Sequence, residues 1–335
     1  MNIVFIGCVA FSKACLQTLI ALSQRHSSLH ITGVVTKQSS PFNADFCDIA
    51  PLARTHNIKA FYTTDINDAS TREFIISCAP DIIYCFGWSA LIKQALLDLC
   101  PIIGYHPAAL PHNRGRHPII WALALGLKES ASSFFVMDSG ADSGAILSQV
   151  PFAIESSDNA ASLCARVERI AKEQIEDFTL DILERANASL ANTKIGGNTE
   201  SSAQNAQFSQ LTGGGADTNL AQILSSLTIP QNHSLSNLWR KRGARDGIID
   251  FRMSAEGIYN LVRALSKPYV GAEVLYNGAH YKVWEAKIVS VSLKNIESGK
   301  ILRVDSQGVL VKAYDDAILL THHELNPLPK EGEYF

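Results

Sequence analysis

A short apolar run that ends in glycine, NIVFIG (2–7), is followed by AFSKACLQTLIALSQRH and then by LHITGVVT (29–36). The first and third segments are short and rich in β-branched residues, as buried strands are. The middle segment places Phe11, Cys15, Leu16, Leu19, Ile20 and Leu22 at a 3.6-residue period, which gives a helix one apolar face. A β-α-β opening of this kind argues for a parallel sheet with right-handed crossovers. The pattern continues down the chain. KAFYT reads as a strand, ASTREFIISC as a helix capped by Ser70, DIIYCFGW (81–88) as a buried strand and SALIKQALLDL as a helix capped by Ser89. PIIGYH (101–106) is a further strand, and residues 118–127 have helical spacing. ASSFFVM and AILSQVPFAI supply two more strands, and Asp158 opens a long helix to about residue 187. The spacing predicts an α/β domain with a doubly wound, mostly parallel sheet over residues 1–190.

From 191 to 234 the composition shifts to Gly, Ser, Thr, Asn and Gln, which reads as a low-complexity linker. A second unit is expected over 235–330. It opens with an amphipathic helix, SAEGIYNLVRALS (254–266), and continues as short alternating segments separated by Asn-Gly, Ser-Gly and Gln-Gly turns. That rhythm predicts a small antiparallel β-barrel.

Several function classes are disfavoured at this stage. The net charge of −3 gives no global basic field for nucleic acid. The seven cysteines include no CxxC pair and lie mostly in apolar runs, so neither a disulfide framework nor a metal site is expected, and a reducing compartment is. The N-terminal apolar run is too short for a signal peptide or a membrane span, and the cytoplasm is the expected location. The first βα turn, FIGCVAFSKA, has one glycine where a dinucleotide fingerprint needs three, and no Walker lysine loop is present.

In an open parallel sheet, ligands bind at the carboxyl ends of the strands. DIIYCFGWS ends on a Gly-containing bend and PIIGYH ends on His106, so the cleft is expected between them. GYHPAALPHNRGRHPIIW (104–121) crowds His106, His112, Arg114, Arg116 and His117 just past a buried strand. Asp142, in SGADSGA, lies between Gly140 and Gly144 on a loop between two strands. A histidine and a carboxylate brought together form an acid/base pair, the carboxylate fixing the tautomer of the imidazole. Taken singly, His106 reads equally as a strand-end histidine bonded to main chain, and Asp142 as an ordinary turn residue.

Two segments together carry a resemblance. HPAALPHNRGRHPIIWAL and MDSGADSGAILSQ resemble the His-x-x-x-Leu-Pro…Arg-Gly signature and the Asp-x-Gly-Ala-Asp-x-Gly loop of the formyltransferases that use formyl-tetrahydrofolate. LWRKRGARDGIIDFRMSAEGIYNLVRALSKPYVGA (238–272) is similar to the start of the carboxy-terminal OB-like barrel domain in methionyl-tRNA and aminosugar formyltransferases. The likeness covers about 1–190, implying a Rossmann-like catalytic domain, and 235–325.

The resemblance implies that an amine attacks the formyl carbon carried on folate and generates an oxyanion. His106 would orient or deprotonate the nucleophile, and Asp142 would hold the imidazole and relay the proton. The family's Asn two residues before the histidine is Gly104 here. Strand alternation puts 104 and 106 on one face, so the glycine removes a carboxamide worth ~3–4 kcal/mol of transition-state stabilisation if nothing replaces it. For folate, the resemblance implies the bend at Phe86, Gly87 and Trp88 together with Asp138, Gly140 and Ala141. Arg114 and Arg116 are the nearest bidentate donors for a phosphate or a folate glutamate. His112 and His117 receive no catalytic role.

The acceptor is expected to be a nucleotide-linked amino sugar. The transfer-RNA enzymes of the family carry a basic loop after the second strand, whereas TKQSSPFNADFCDIA (36–50) has Lys37 as its one cation. HPIIW points the same way by resemblance. Methionyl-tRNA formylation is the alternative, because of Arg240, Lys241, Arg242 and Arg245. A non-catalytic folate- or nucleotide-binding relative is a third reading, because of Gly104. The carboxy-terminal domain is a candidate homodimer surface or accessory nucleotide site, and no membrane partner is expected.

Overall fold

A computed structural model describes residues 1–41, 44–195, 217–293 and 295–335. In chain order the elements are β1 (Asn2–Ile6), α1 (Ala10–Arg25), β2 (His30–Thr36), α2 (Ala50–Thr55), β3 (Lys59–Tyr62), α3 (Ala69–Ser77) and β4 (Ile82–Cys85). Then come α4 (Gln94–Leu97), β5 (Ile102–His106), the two-residue β6 (Arg114–Gly115), α5 (Pro118–Ala124), β7 (Glu129–Val136), β8 (Ile146–Ala153) and α6 (Ala160–Ile195). The remainder comprises α7 (Asp217–Leu227), β9 (Leu238–Trp239), α8 (Ala255–Leu265), β10 (Ala272–Tyr276), β11 (Ala279–Val289), β12 (Ile301–Asp305), β13 (Gly308–Lys312) and β14 (Ala317–His323).

Seven strands form one sheet in the order β3-β2-β1-β4-β5-β7-β8. β1, β2, β3, β4 and β5 run parallel to their neighbours, and β7 pairs antiparallel to β5. The central strands of the sheet are buried on both faces. Ile3, Phe5, Tyr84, Ile103 and Phe134 point into one core, shared with α1 and with Ile175 and Phe178 of α6. Val4, Ile6, Ile83, Cys85 and Ile102 point into the other, shared with Ile75 of α3. Because the chain winds outward from β1 to β3 and returns at β4, the order reverses between β1 and β4.

Contacts divide the described chain into two compact units, Met1–Arg114 with Ala131–Pro151 and Val167–Asn237, and Gly115–Ser130 with Phe152–Arg166 and Leu238–Phe335. The second unit contains the five-stranded antiparallel sheet β10-β11-β14-β13-β12. Within it, Arg263 of α8 is buried, donating to Asn260 Oδ1 and to the carbonyls of Glu155 and Asp158, while Asp158 pairs with Arg166. Burial pushes the Arg263 guanidinium below its usual value.

Several local expectations are corrected. α3 is capped by Asp68, whose carboxylate accepts from Thr71 N–H at 2.6 Å; Ser70 lies within the first turn and donates to that carboxylate. The helix expected from Ser89 is only α4, because the Asn67 side chain takes Lys93 N–H and donates to Leu91 O, pinning residues 91–93 outside helical geometry. α6 begins at Ala160 and runs to Ile195, past the expected end near 187. Residues 196–216 of the low-complexity segment lie outside the described residues. Beyond them the expected linker contains the helix α7, whose Leu220 and Leu224 are buried in the first of the two cores.

Candidate active site

β5 delivers His106 to its carboxyl end. Tyr105 turns to the opposite face, where its ring stacks on Phe11 at 4.4 Å and packs against Phe134 at 4.7 Å, so Gly104 and His106 share the other face. The chain beyond the strand is tied down. Ser133 Oγ donates to Ala108 O at 2.6 Å, and Gln149 Nε2 donates to Leu110 O at 3.0 Å and to Ser133 Oγ at 2.9 Å. His106 is 4% exposed.

The loop between β7 and β8 carries the carboxylate. Asp138 Oδ1 gathers Gly140 N–H at 2.9 Å and Ser143 Oγ–H at 2.5 Å, which folds the loop on itself. At Gly144 any Cβ would stand 1.7 Å from Val136 O, so only glycine fits. Asp142 adopts φ +52°, a left-handed conformation that aspartate tolerates better than most residues.

His106 and Asp142 meet. Nδ1 lies 3.6 Å from Asp142 Oδ2. Nε2 lies 2.7 Å from Asn113 O, and a carbonyl can only accept, so Nε2 carries the hydrogen. In the neutral ring this leaves Nδ1 as the nitrogen without a hydrogen, and it is the one facing the carboxylate. Protonation at Nδ1 would place an imidazolium between a carbonyl and a carboxylate, an arrangement suited to moving a proton to and from a bound group.

Phe86 is fully buried among Phe5, Tyr84 and Phe134, and its carbonyl accepts from Ser12 Oγ at 2.6 Å. Gly87 has φ +77°, and a Cβ there would meet Val9 at 2.4 Å and Ser12 at 2.5 Å. This bend therefore sits at the strand-order reversal, next to the start of α1. Trp88 is half-buried under the Lys37 ammonium, 4.7 Å from its ring centroid, and its Nε1 is buried with no hydrogen-bond partner among the described residues. Asp138, Gly140 and Ala141 lie on the Asp142 loop, Ala141 exposed.

Gly104 lies within the sheet, opposite Cys85 and Phe135, and Phe135 and Met137 fill the space its side chain would take. Arg114 departs from its expected role as an open anion donor. It is buried, its Nε and Nη2 on Gln231 Oε1 at 3.2 and 2.6 Å and its Nη2 also 3.2 Å from His233 Nδ1. Arg116 belongs to the second unit, where its N–H donates to Trp239 O. His117 is in that unit too, held below its usual pKa by burial, then by Arg116, Arg242 and Lys241.

Residues 229–237 contribute to the site although their composition reads as linker. Gln231 Nε2 donates to Asp142 O at 2.9 Å and to Gly144 O at 2.7 Å. Asn237 and Asn113 exchange a pair of hydrogen bonds, Asn113 N–H to Asn237 Oδ1 at 2.7 Å and Asn237 Nδ2 to Asn113 Oδ1 at 3.1 Å. No spacing rule joins residues so far apart in the chain; the one local signal is the polar run QNHSLSN after a proline.

A cavity of about 650 Å³ opens at the opposite rim of the sheet. Its lining includes Met1, Asp81, Ile102, Met137 and Leu183, and it reaches the Asp142 loop at Asp138 and Gly144 without including His106 or Asp142. Among the described residues no cluster of three or more His, Cys, Asp or Glu could hold a metal ion, and no helix is long and apolar enough to cross a membrane.

Comparison with known proteins places this geometry. The family model for formyl transferase matches residues 1–178, more than half of the 335-residue chain, and that for the formyl transferase C-terminal domain matches 243–328.

The chain belongs to the formyl transferase family.

This formyltransferase is 26% identical over 344 residues to a methionyl-tRNA formyltransferase of Clostridioides difficile, covering 100% of this chain and 96% of the relative. Among solved structures it is similar to WlaRD, a sugar 3N-formyl transferase determined with dTDP and 5-N-formyl-THF. The TM-score is 0.58 at 15% identity, covering 98% of this chain and 99% of that one. It is also similar to an N-formyltransferase of Helicobacter canadensis in complex with folinic acid and dTDP-3-aminofucose. There the TM-score is 0.59 at 14% identity, covering 95% and 98%. At these identities the two structures establish the shared fold.

Proposed function

We propose that this formyltransferase moves a formyl group from formyl-tetrahydrofolate to the amine of a nucleotide-linked amino sugar, with His106 and Asp142 as its acid/base pair. The observation that carries the reading is the approach of His106 Nδ1 to Asp142 Oδ2 at 3.6 Å, with Nε2 committed to Asn113. Bound folate would supply the formyl carbon. The Gly87 bend fits such a group: Trp88 Nε1 there is a buried donor with no acceptor among the described residues. His106 Nδ1 would accept the proton that the attacking amine loses, Asp142 would stabilise the resulting imidazolium, and the same nitrogen would return the proton to the departing folate amine.

Two features favour a sugar as the acceptor. The segment after β2 carries a single cation, Lys37, and its ammonium is held over Trp88. Asp45 and Asp48 lie in the same segment, Asp48 accepting from Tyr62 OH at 2.7 Å. WlaRD and the Helicobacter canadensis enzyme, similar over nearly their whole length, were solved with dTDP-containing ligands. A second reading, methionyl-tRNA formylation, is favoured by the full-length Clostridioides difficile relative and by Arg240 and Arg242, which pack against Trp121 at 5.3 and 5.2 Å.

The test offers formyl-tetrahydrofolate with dTDP-3-aminofucose, other nucleotide-linked amino sugars, or aminoacylated initiator transfer RNA, and tracks formylated product by mass spectrometry. Formylation of a sugar amine is the expected result. Turnover of the transfer RNA alone would replace the reading with the second one, and folate binding without product would replace it with a non-catalytic role.

A further inference from the structure

We propose that residues 229–237 form a strap that sets the distance between His106 and Asp142, with Gln231 and Asn237 as positioning residues. This inference rests on the acid/base reading of that pair. The strap belongs to the first unit throughout, as do His106, Asn113 and the Asp142 loop.

At one end Ile229 bridges Ile146, N–H and C=O each paired at 2.8 Å, which anchors the strap to the start of β8. Gln231 comes next, 6% exposed and with both polar atoms of its side chain engaged. Both bonds from its amide nitrogen go to the Asp142 loop, one to the carbonyl of Asp142 itself. Its oxygen takes two N–H groups of buried Arg114. At the other end Asn237 grips Asn113 through both side-chain atoms and accepts Arg114 N–H on its own carbonyl at 3.1 Å. Asn113 sits at φ +62°, and its carbonyl is the group that takes His106 Nε2–H. One end of the strap therefore fixes the carboxylate's backbone, and the other fixes the imidazole's tautomer and tilt. Gln231, buried and bonded through both side-chain atoms, has little freedom to rearrange, while exposed Asn237 holds Asn113 by paired hydrogen bonds.

Two variants of the full chain separate positioning from simple stability. Gln231→Glu keeps the acceptor for Arg114 but loses both donors to the loop carbonyls. Asn237→Ala removes the grip on Asn113. Turnover is measured with formyl-tetrahydrofolate and dTDP-3-aminofucose. Alongside it, the tautomers of ¹⁵N-labelled histidines are read by nuclear magnetic resonance, with His106→Gln used for assignment. In both variants kcat should fall about 100-fold, the scale of an ångström-level misplacement, while KM for either substrate stays within about twofold. In the wild-type chain His106 should carry its hydrogen on Nε2, and in Asn237→Ala it should populate both tautomers.

Full kcat in Gln231→Glu, or an unchanged His106 tautomer in Asn237→Ala, overturns the strap. The tautomer comparison decides the matter even with an acceptor the enzyme does not use. Should His106→Ala and Asp142→Asn retain turnover, the acid/base reading fails instead, which is a separate outcome.

Discussion

Replacing Gly104 with asparagine, the residue expected there from the family pattern, tests whether the glycine leaves a vacancy or a filled space. An ideal Cβ at 104 would stand 2.8 Å from Phe135 Cζ and 2.9 Å from Met137 Cγ, both closer than such atoms ever pack. Phe135 is 1% exposed and cannot withdraw, whereas Met137 is a flexible thioether chain that can. Forcing extra atoms into a packed core costs about 1–3 kcal/mol, and the carboxamide beyond Cβ puts this change at the upper end. Removing a glycine from a strand returns about 0.5–1 kcal/mol, so the net loss should be about 2 kcal/mol. With a urea dependence near 2 kcal/mol per molar, the midpoint for opening of β5 falls by about 1 M. Hydrogen–deuterium exchange of the peptide covering 102–106, at graded urea, reads that midpoint in the first unit alone. Met137→Ala in the same chain removes one of the two clashes and should recover about 1 kcal/mol, a coupling visible in the double-mutant cycle. A Gly104→Asn chain as stable as wild type, or strict additivity with Met137→Ala, would show that the space is open and that packing does not explain the glycine.

His106→Ala and Asp142→Asn should each abolish formyl transfer while circular dichroism and the urea midpoint stay at wild-type values; undiminished turnover in either removes that residue from the chemistry. Asp158→Asn should destabilise the second unit by about 3 kcal/mol, since the buried carboxylate, 4% exposed, is bonded to Arg166, Ser162 and Glu155 N–H, and an unchanged unfolding profile would contradict this. Although burial opposes it, those bonds hold the Asp158 carboxyl below the usual carboxylate range. Its contribution is therefore complete above about pH 4 and is lost as the pH falls through the lowered folded value, a trend Asp158→Asn should flatten. Among the seven thiols, Cys85 is pushed up to about 12 by burial, and burial raises Cys15 and Cys78 as well. Native chain at pH 8 should accordingly react with a disulfide reagent only at half-exposed Cys47, Cys100 and Cys164, as peptide mapping would show, and fast modification of Cys85 would refute its burial.

Most of the first unit was legible because its strands and helices declare themselves by period. Runs such as DIIYCFGW and PIIGYH are apolar on both faces, and a sheet covered on both faces demands that. His106 and Asp142 were legible as residue types at a strand end and in a glycine-flanked loop. Their meeting was not, because it depends on how a loop folds across a sheet. The errors have local physical causes. Ser70 and Asp68 are both good caps, and the carboxylate wins by accepting Thr71 N–H. The helix expected from Ser89 yields to Asn67, a residue 26 positions before Lys93 that no local pattern connects to it. Arg114 looked like a loop cation, yet Gln231, 117 positions later, takes its guanidinium into the interior.

The strap also bears on how a glycine at 104 can coexist with the approach of His106 to Asp142. The hydrogen bonds described above that hold the pair use groups outside residue 104. His106 is held through Asn113, Asn113 through Asn237, and the Asp142 loop through Gln231 and Asp138. Residue 104 itself lies in mid-strand between Cys85 and Phe135, and no bond of this network crosses it. The glycine there is accounted for by Phe135 and Met137, which fill the space of a side chain. Relative to the asparagine of the family pattern, the glycine would lack a hydrogen-bond donor toward a developing oxyanion, a separate electrostatic contribution of ~3–4 kcal/mol. On the proposed acid/base reading, positioning and oxyanion stabilisation would fall to different residues, and lack of the second would slow transfer by a factor of roughly 10²–10³ at that energy.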